Sequence, residues 1–297
     1  MRPGGYTTHT TADGEVVRIS RDVGENPPAG VIVTYRLVAT PDVPLALVVR
    51  DAGGAKVRSF SSRTADDPPQ AKERRAPAQA GWNRFVWDMR HTPATKIEGD
   101  DPAAKDPIPG PIVVPGEYTV TLTVGATELT QPFRIVTPQN IPASEDDLKS
   151  QHDLLLRIHR QIDRTTMTIN QMRDLRAQLD GWARRTHDRD GGAEVATAAE
   201  TLRDGILELE KTLLVPKLRS NWEAYNYGVR LLGKLIALSN DVALGDYRPT
   251  DVAEEVLSEV QRRIDEQIAA FERLLAEDLP AFNTRLAEAK LDAVLAK

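Results

Sequence analysis

The feature that most constrains this chain is a change of hydrophobic period near Pro138. Before it, prolines and glycines punctuate short runs rich in β-branched and aromatic residues. After it both become sparse, and apolar residues recur at steps of three and four. A period of two puts alternate side chains on the two faces of a strand, whereas steps of three and four line one face of a helix. The order predicted is therefore β then α, with a flexible N-terminus over 1–14, a β domain over 15–138 and a helical domain over 139–297. A chain of 297 residues is long enough for two such cores.

In the first half, Val31, Val33, Tyr35 and Leu37 alternate with Ile32, Thr34, Arg36 and Val38. Pro44 to Arg50 predicts a second strand, and Asp51-Ala52-Gly53-Gly54 a turn into a third over Ala55 to Phe60. Trp82, Arg84 and Val86 alternate with Asn83, Phe85 and Trp87. Tyr118, Val120, Leu122 and Val124 alternate with threonines, the pattern of a strand with apolar residues inward and hydroxyls outward. Gly125-Ala126 turns the chain into Thr127 to Val136. With an opening strand from Glu15 to Arg21 the count is about seven, which predicts a sandwich of the immunoglobulin or fibronectin type. Its core signature is Trp82, Phe85, Trp87 and Tyr118. Segments 61–80 and 89–115 are rich in Pro, Asp, Lys and Ala and read as mobile surface loops.

In the second half, Ser144 followed by Asp147 predicts a capped helix start. Leu155, Ile158, Ile162, Ile169, Met172 and Leu179 then make one stripe on a helix of about 38 residues, roughly 57 Å long at 1.5 Å per residue. A second stripe runs through Val195, Ala198, Leu202, Ile206, Leu209 and Leu213 and should end near Pro216. Val229 to Ala243 is a third helix. Thr250 or Asp251 caps a fourth through Val252, Val256, Val260, Ile264, Ile268, Phe271 and Leu275, which Pro280 should end or kink before Phe282 to Leu295. The economical arrangement is an antiparallel bundle of three to four long helices.

Chemistry is hard to find in these residues. The chain has no cysteine, which removes disulfides, thiolate metal sites and thiol nucleophiles. His152 and His159 share a helical face but stand about 10.5 Å apart along its axis, too far for one ion unaided. Asp188, Asp190, Gly191, Gly192 and Glu194 miss the spacing of a calcium loop, and read as a solvated turn. The tandem acids Asp66-Asp67, Asp100-Asp101 and Asp146-Asp147 read as surface, and no phosphate loop, nucleophile elbow or His-Glu-x-x-His pair occurs. No catalytic residue, cofactor site or metal site is expected. The net charge of -6 disfavours nucleic acid and anionic membrane surfaces, and the small cluster Arg184-Arg185, His187 and Arg189 does not offset it. No run approaches the roughly 20 apolar residues of a membrane span, and Met1 to Ala12 lacks the apolar core of a signal peptide. The link from Lys217 to Gly228 concentrates Trp222, Tyr225 and Tyr227, which either pack over the helices or present an anchor for a partner.

Gly81-Trp82-Asn83-Arg84-Phe85-Val86-Trp87-Asp88-Met89-Arg90, followed by Pro115-Gly116-Glu117-Tyr118-Thr119-Val120-Thr121-Leu122, resembles the Ig-like domain of bacterial hook-capping proteins and many secreted bacterial proteins. With Glu25-Asn26-Pro27-Pro28-Ala29-Gly30, Gln131-Pro132-Phe133 and Tyr225-Asn226-Tyr227, nearly the whole chain is similar to one larger assembly. That is the C-terminal region of the sortilin-like, BNR-repeat propeller proteins of bacteria, often labelled glycosyl hydrolases. In that family the sialidase-like part is an N-terminal β-propeller with Ser-x-Asp-x-Gly-x-Thr-Trp repeats, and this sequence has none. The resemblance implies a non-catalytic scaffold that docks to a β-propeller in cis or in trans, exported or periplasmic if it belongs to a longer parent. The alternative it implies is an accessory or carbohydrate-binding part of a glycoside hydrolase, with Trp82 or Trp87 as stacking platforms for a glycan.

Overall fold

The computed structural model describes residues 28–62, 74–99, 106–137, 141–187, 192–216 and 227–289, together with the backbone of two strands at 6–10 and 16–20. Strands in small antiparallel sheets are followed by a helical C-terminal half. The compact units interleave along the chain: 1–41 joins 77–89, and 42–76 joins 90–297. The change of period near Pro138 thus falls inside the second unit.

In the first unit, β1 (Tyr6–Thr10) pairs with β2 (Val16–Ser20). β1 lies where the sequence predicts a flexible terminus; its run of threonines between Tyr6 and Thr10 suits an extended backbone. β3 (Val31–Leu37) pairs with a strand far along the chain, β6 (Gly81–Trp87), in a register that sets Val33 opposite Phe85 and Tyr35 opposite Asn83. One face of this pair buries Tyr35, Leu37, Phe85 and Trp87. Asn83 is buried too, and satisfied: its Nδ2 donates to Gln79 O at 2.8 Å and its Oδ1 accepts from Gln79 N at 3.1 Å. Burial also pushes the Tyr35 hydroxyl up to about 12, and it donates to Pro77 O. Gly30 is required where it stands, because its φ is +138° and a Cβ would come within 2.1 Å of Trp87 O.

In the second unit, β4 (Leu45–Asp51), β5 (Lys56–Ser61), β7 (Gly116–Val124) and β8 (Thr127–Ile135) form one antiparallel sheet in the order β5-β4-β7-β8. The β4–β5 turn is built by Asp51, whose Oδ1 accepts from Ala55 N at 2.9 Å, while Gly54 takes φ +81°. Leu45, Leu47 and Val49 are buried opposite Val124, Leu122 and Val120. The expected outward row of hydroxyls needs one correction: Thr121 is buried, its Oγ1 2.9 Å from that of Thr130 across the strands. β8 is the sheet's edge, exposed over most of its length. Counting from the two-residue turn at Gly125-Ala126, which Val124 and Thr127 close as a bonded pair, Thr119 and Pro132 form a non-bonded pair. The side of Pro132 that lacks an N–H therefore faces away from β7.

The helical half is organised on α1 (Glu145–Thr186), whose 42 residues pack along α2 (Gly192–Leu213), α3 (Leu231–Val242) and α4 (Asp251–Arg273). At its start Ser144 Oγ accepts from Asp147 N and the Asp147 carboxylate accepts from Ser144 N, a reciprocal cap. The bond from Ser144, then that from Arg248, holds the Asp147 carboxyl below its ordinary value. Where Pro280 is expected to end or kink the last helix, the chain widens into a π-turn over Leu274–Asp278 and continues as α5 (Leu279–Glu288). Leu279 N donates to Leu274 O, five residues back, and the wider turn accommodates the proline ring. No helix among the described residues is long and apolar enough to cross a membrane.

A strap from Arg90 to Glu98 is the largest departure from expectation in this unit. Instead of a mobile loop it runs extended along α1, in the same direction. Asp163 Oδ1 accepts from Thr95 N and Oγ1 at 2.6 and 2.8 Å, Asn170 bridges Lys96 O and Glu98 N at 2.8 Å each, and Arg173 donates to Glu98 O. Ala94 and Ile97 are buried in the same core as the helices. The described end of the other long loop is also held, with Ala76 buried and its N donating to Ser61 O at 2.9 Å.

Candidate interaction surface

α3 buries Leu231, Leu232, Leu235, Leu238 and Val242 and turns Lys234, Ala237, Asn240 and Asp241 outward. α4 carries two stripes. Leu257, Val260, Ile264, Ile268 and Phe271 face the core, whereas Val252 and Val256, read from sequence as core, stand 64% and 39% exposed. The reason is angular: at about 100° per residue, 252 and 256 sit on the flank of α4 rather than on the face shared by 257, 264, 268 and 271. Between α3 and α4 this leaves a groove of about 530 Å³, lined by Ala237, Leu238, Tyr247, Pro249, Val252 and Val256, with Lys234 and Asp241 also lining it.

The link that closes one end of the groove is pinned from beneath. Buried Gln151 of α1 donates through Nε2 to Val242 O at 2.7 Å and to Gly245 O, satisfying carbonyls at the C-terminus of α3. Arg248 Nε meets Asp147 Oδ1 at 2.8 Å, and Tyr247 donates its hydroxyl to Asp241 O at 3.0 Å. These bonds fix the link at that end of the groove. Val229, also a lining residue, is 65% exposed, and Tyr227 two residues before it is 54% exposed. Of the aromatic trio that the sequence singles out, Trp222 and Tyr225 lie outside the described residues, as do Asp66-Asp67, Asp100-Asp101, Asp188, Asp190 and Gly191.

Among the four signature aromatics, Phe85, Trp87 and Tyr118 are buried, Tyr118 stacking on Phe133 at 5.8 Å between centroids. Burial pushes the Tyr118 hydroxyl up to about 12, and it donates to Val114 O at 2.7 Å. Trp82 is not core: it is 74% exposed, because strand parity puts 82, 84 and 86 on the face opposite 83, 85 and 87. Register sets it beside Arg36, and Arg84 beside Thr34, so this outer face presents an indole and two guanidiniums.

His152 and His159 do share a face of α1, and what they meet is the strap. His152 Nε2 lies 3.0 Å from His91 Nε2, and His159 Nε2 lies 2.9 Å from Thr92 O. His91 escaped the sequence reading because it sits in a segment without periodicity. A second residue that escaped it is Glu210 of α2, fully buried and shared between Arg173, at 2.8 Å, and Arg176 of α1. Among the described residues no group of three His, Asp or Glu side chains is placed to hold a metal ion. No protein-family model matches the sequence, and no curated protein is significantly similar to it.

Proposed function

We propose that the chain is a non-catalytic interaction module: a β-sandwich with an antiparallel helical bundle, serving as the scaffold part of a larger propeller-containing assembly. The observation that carries this reading is the apolar groove between α3 and α4, closed at one end by the pinned link and rimmed by exposed Val229, Val252 and Tyr247. Its lining offers hydrophobic area and few charges, which suits docking and offers little to general acid–base work. The partner favoured by the sequence resemblance is a β-propeller, in cis or in trans. Titrating the immobilised chain with a separately expressed propeller of that family should give saturable binding, weakened at least tenfold by Val252→Glu with Val256→Glu. No association at high-micromolar propeller, or equal binding by the double variant, would count against this assignment.

A second reading, glycan binding, is favoured by one specific observation, the exposed indole of Trp82 on the outer strand face. Glycans stacking there should quench tryptophan fluorescence in the wild type and not in Trp82→Ala. A panel of neutral and acidic oligosaccharides without effect on either protein would remove it.

A further inference from the structure

The strap could have been fastened to α1 by any polar pair, yet its first fastening is a histidine against a histidine. His91 Nε2 and His152 Nε2 lie 3.0 Å apart with the rings tilted by 37°, and His159, two turns further along α1, bonds the next strap carbonyl. Such a contact needs one ring to donate and the other to accept, so at least one imidazole must be neutral. Two imidazoliums would set two donors and two charges against each other.

We propose that the His91–His152 pair is an acid-released latch, which holds the strap on α1 while at least one of the two rings is neutral and frees it when both take up protons. The inference is independent of what occupies the α3–α4 groove.

The groups around the latch bear on its sign. Arg58 of β5 donates to His91 O at 2.6 Å and so holds the strap's backbone, while Asp51 of β4 favours a proton on His91. Asp153 stands 4.0 Å from His152 Nδ1, and His159 is favoured toward its charged form by its bond to Thr92 O and then by Asp163. Burial prevails over these acids. It is the largest effect on all three rings, and with the charges of His152 and His159 it takes His91 down from 6.5 to about 4. A depressed base stabilises the docked strap above its free value of 6.5, and that stability is lost as pH falls toward about 4. From His91 alone, the docked-to-free ratio should fall about thirtyfold between pH 8 and pH 5.

The test exploits a chain that has no cysteine of its own. Ala94→Cys places one thiol at a buried strap position, and its rate of reaction with 4,4′-dithiodipyridine is read against the denatured chain at the same pH. Relative reactivity should rise about thirtyfold from pH 8 to pH 5 while the far-ultraviolet circular dichroism of the helices persists. Adding His91→Gln and His152→Gln should flatten that response. A change below twofold, the same rise without the two histidines, or a rise only where the helical signal collapses would each overturn the latch. If the glutamine variant does not fold, imidazole resonances of the wild type decide: His91 titrating near its ordinary value refutes the proposal.

Discussion

Glu210 has no surface in contact with water, and its two oxygens are taken by guanidiniums from two successive turns of α1. A buried carboxylate so placed contributes little over a well-packed apolar residue, but removing it takes from two largely buried cations their shared counter-charge. Glu210→Ala is therefore expected to cost about 3–5 kcal/mol in urea unfolding. Glu210→Gln, which keeps hydrogen-bond acceptance at one atom, should cost less. None of this was legible in the sequence, because Glu210 stands among ordinary surface acids of α2 and its partners lie 34 and 37 residues away. Trp82 is the opposite case. Parity alone places it on the face opposite Phe85 and Trp87, and that period of two is plain in the residues.

Among elements, α1 and α4 were the most legible, since caps and stripes are local signals. Thr250 Oγ1 accepts from Ala253 N at 3.3 Å, and Thr250→Ala should lower stability by about 1 kcal/mol, with Thr250→Ser close to wild type in thermal melts. The π-turn left a trace that a reader could have used. Buried positions run 257, 260, 264, 268, 271, 274, then 279, 282 and 286, and the single step of five is where the extra residue sits. The strap left a fainter trace: His152, His159, Asp163, Asn170 and Arg173 make a polar row on one flank of α1. Which segment they hold could not be read, because the strap contributes mostly backbone atoms and these carry no residue code.

At the scale of the molecule, the period change near Pro138 marks where β gives way to α, but cohesion does not respect it. Ala94 and Ile97 come from before that point and are buried in the helical core. A fragment of residues 139–297 should therefore melt below the intact chain and bind more of an apolar dye. In the intact chain, Ile97→Ala should remove about 2–5 kcal/mol of stability by chemical denaturation. A fragment as stable as the whole would show that the strap contributes nothing to that core.

Pro132 has a bearing on behaviour at high concentration. β8 is long, mostly exposed and rich in residues that favour extended chain, which is the profile of a strand that recruits its own kind. With its ring where a donor would project outward, any incoming strand meets a gap in the row of hydrogen bonds midway along its length. At the β8 edge the sheet thus lacks one of the outward donors that edge-to-edge pairing would use.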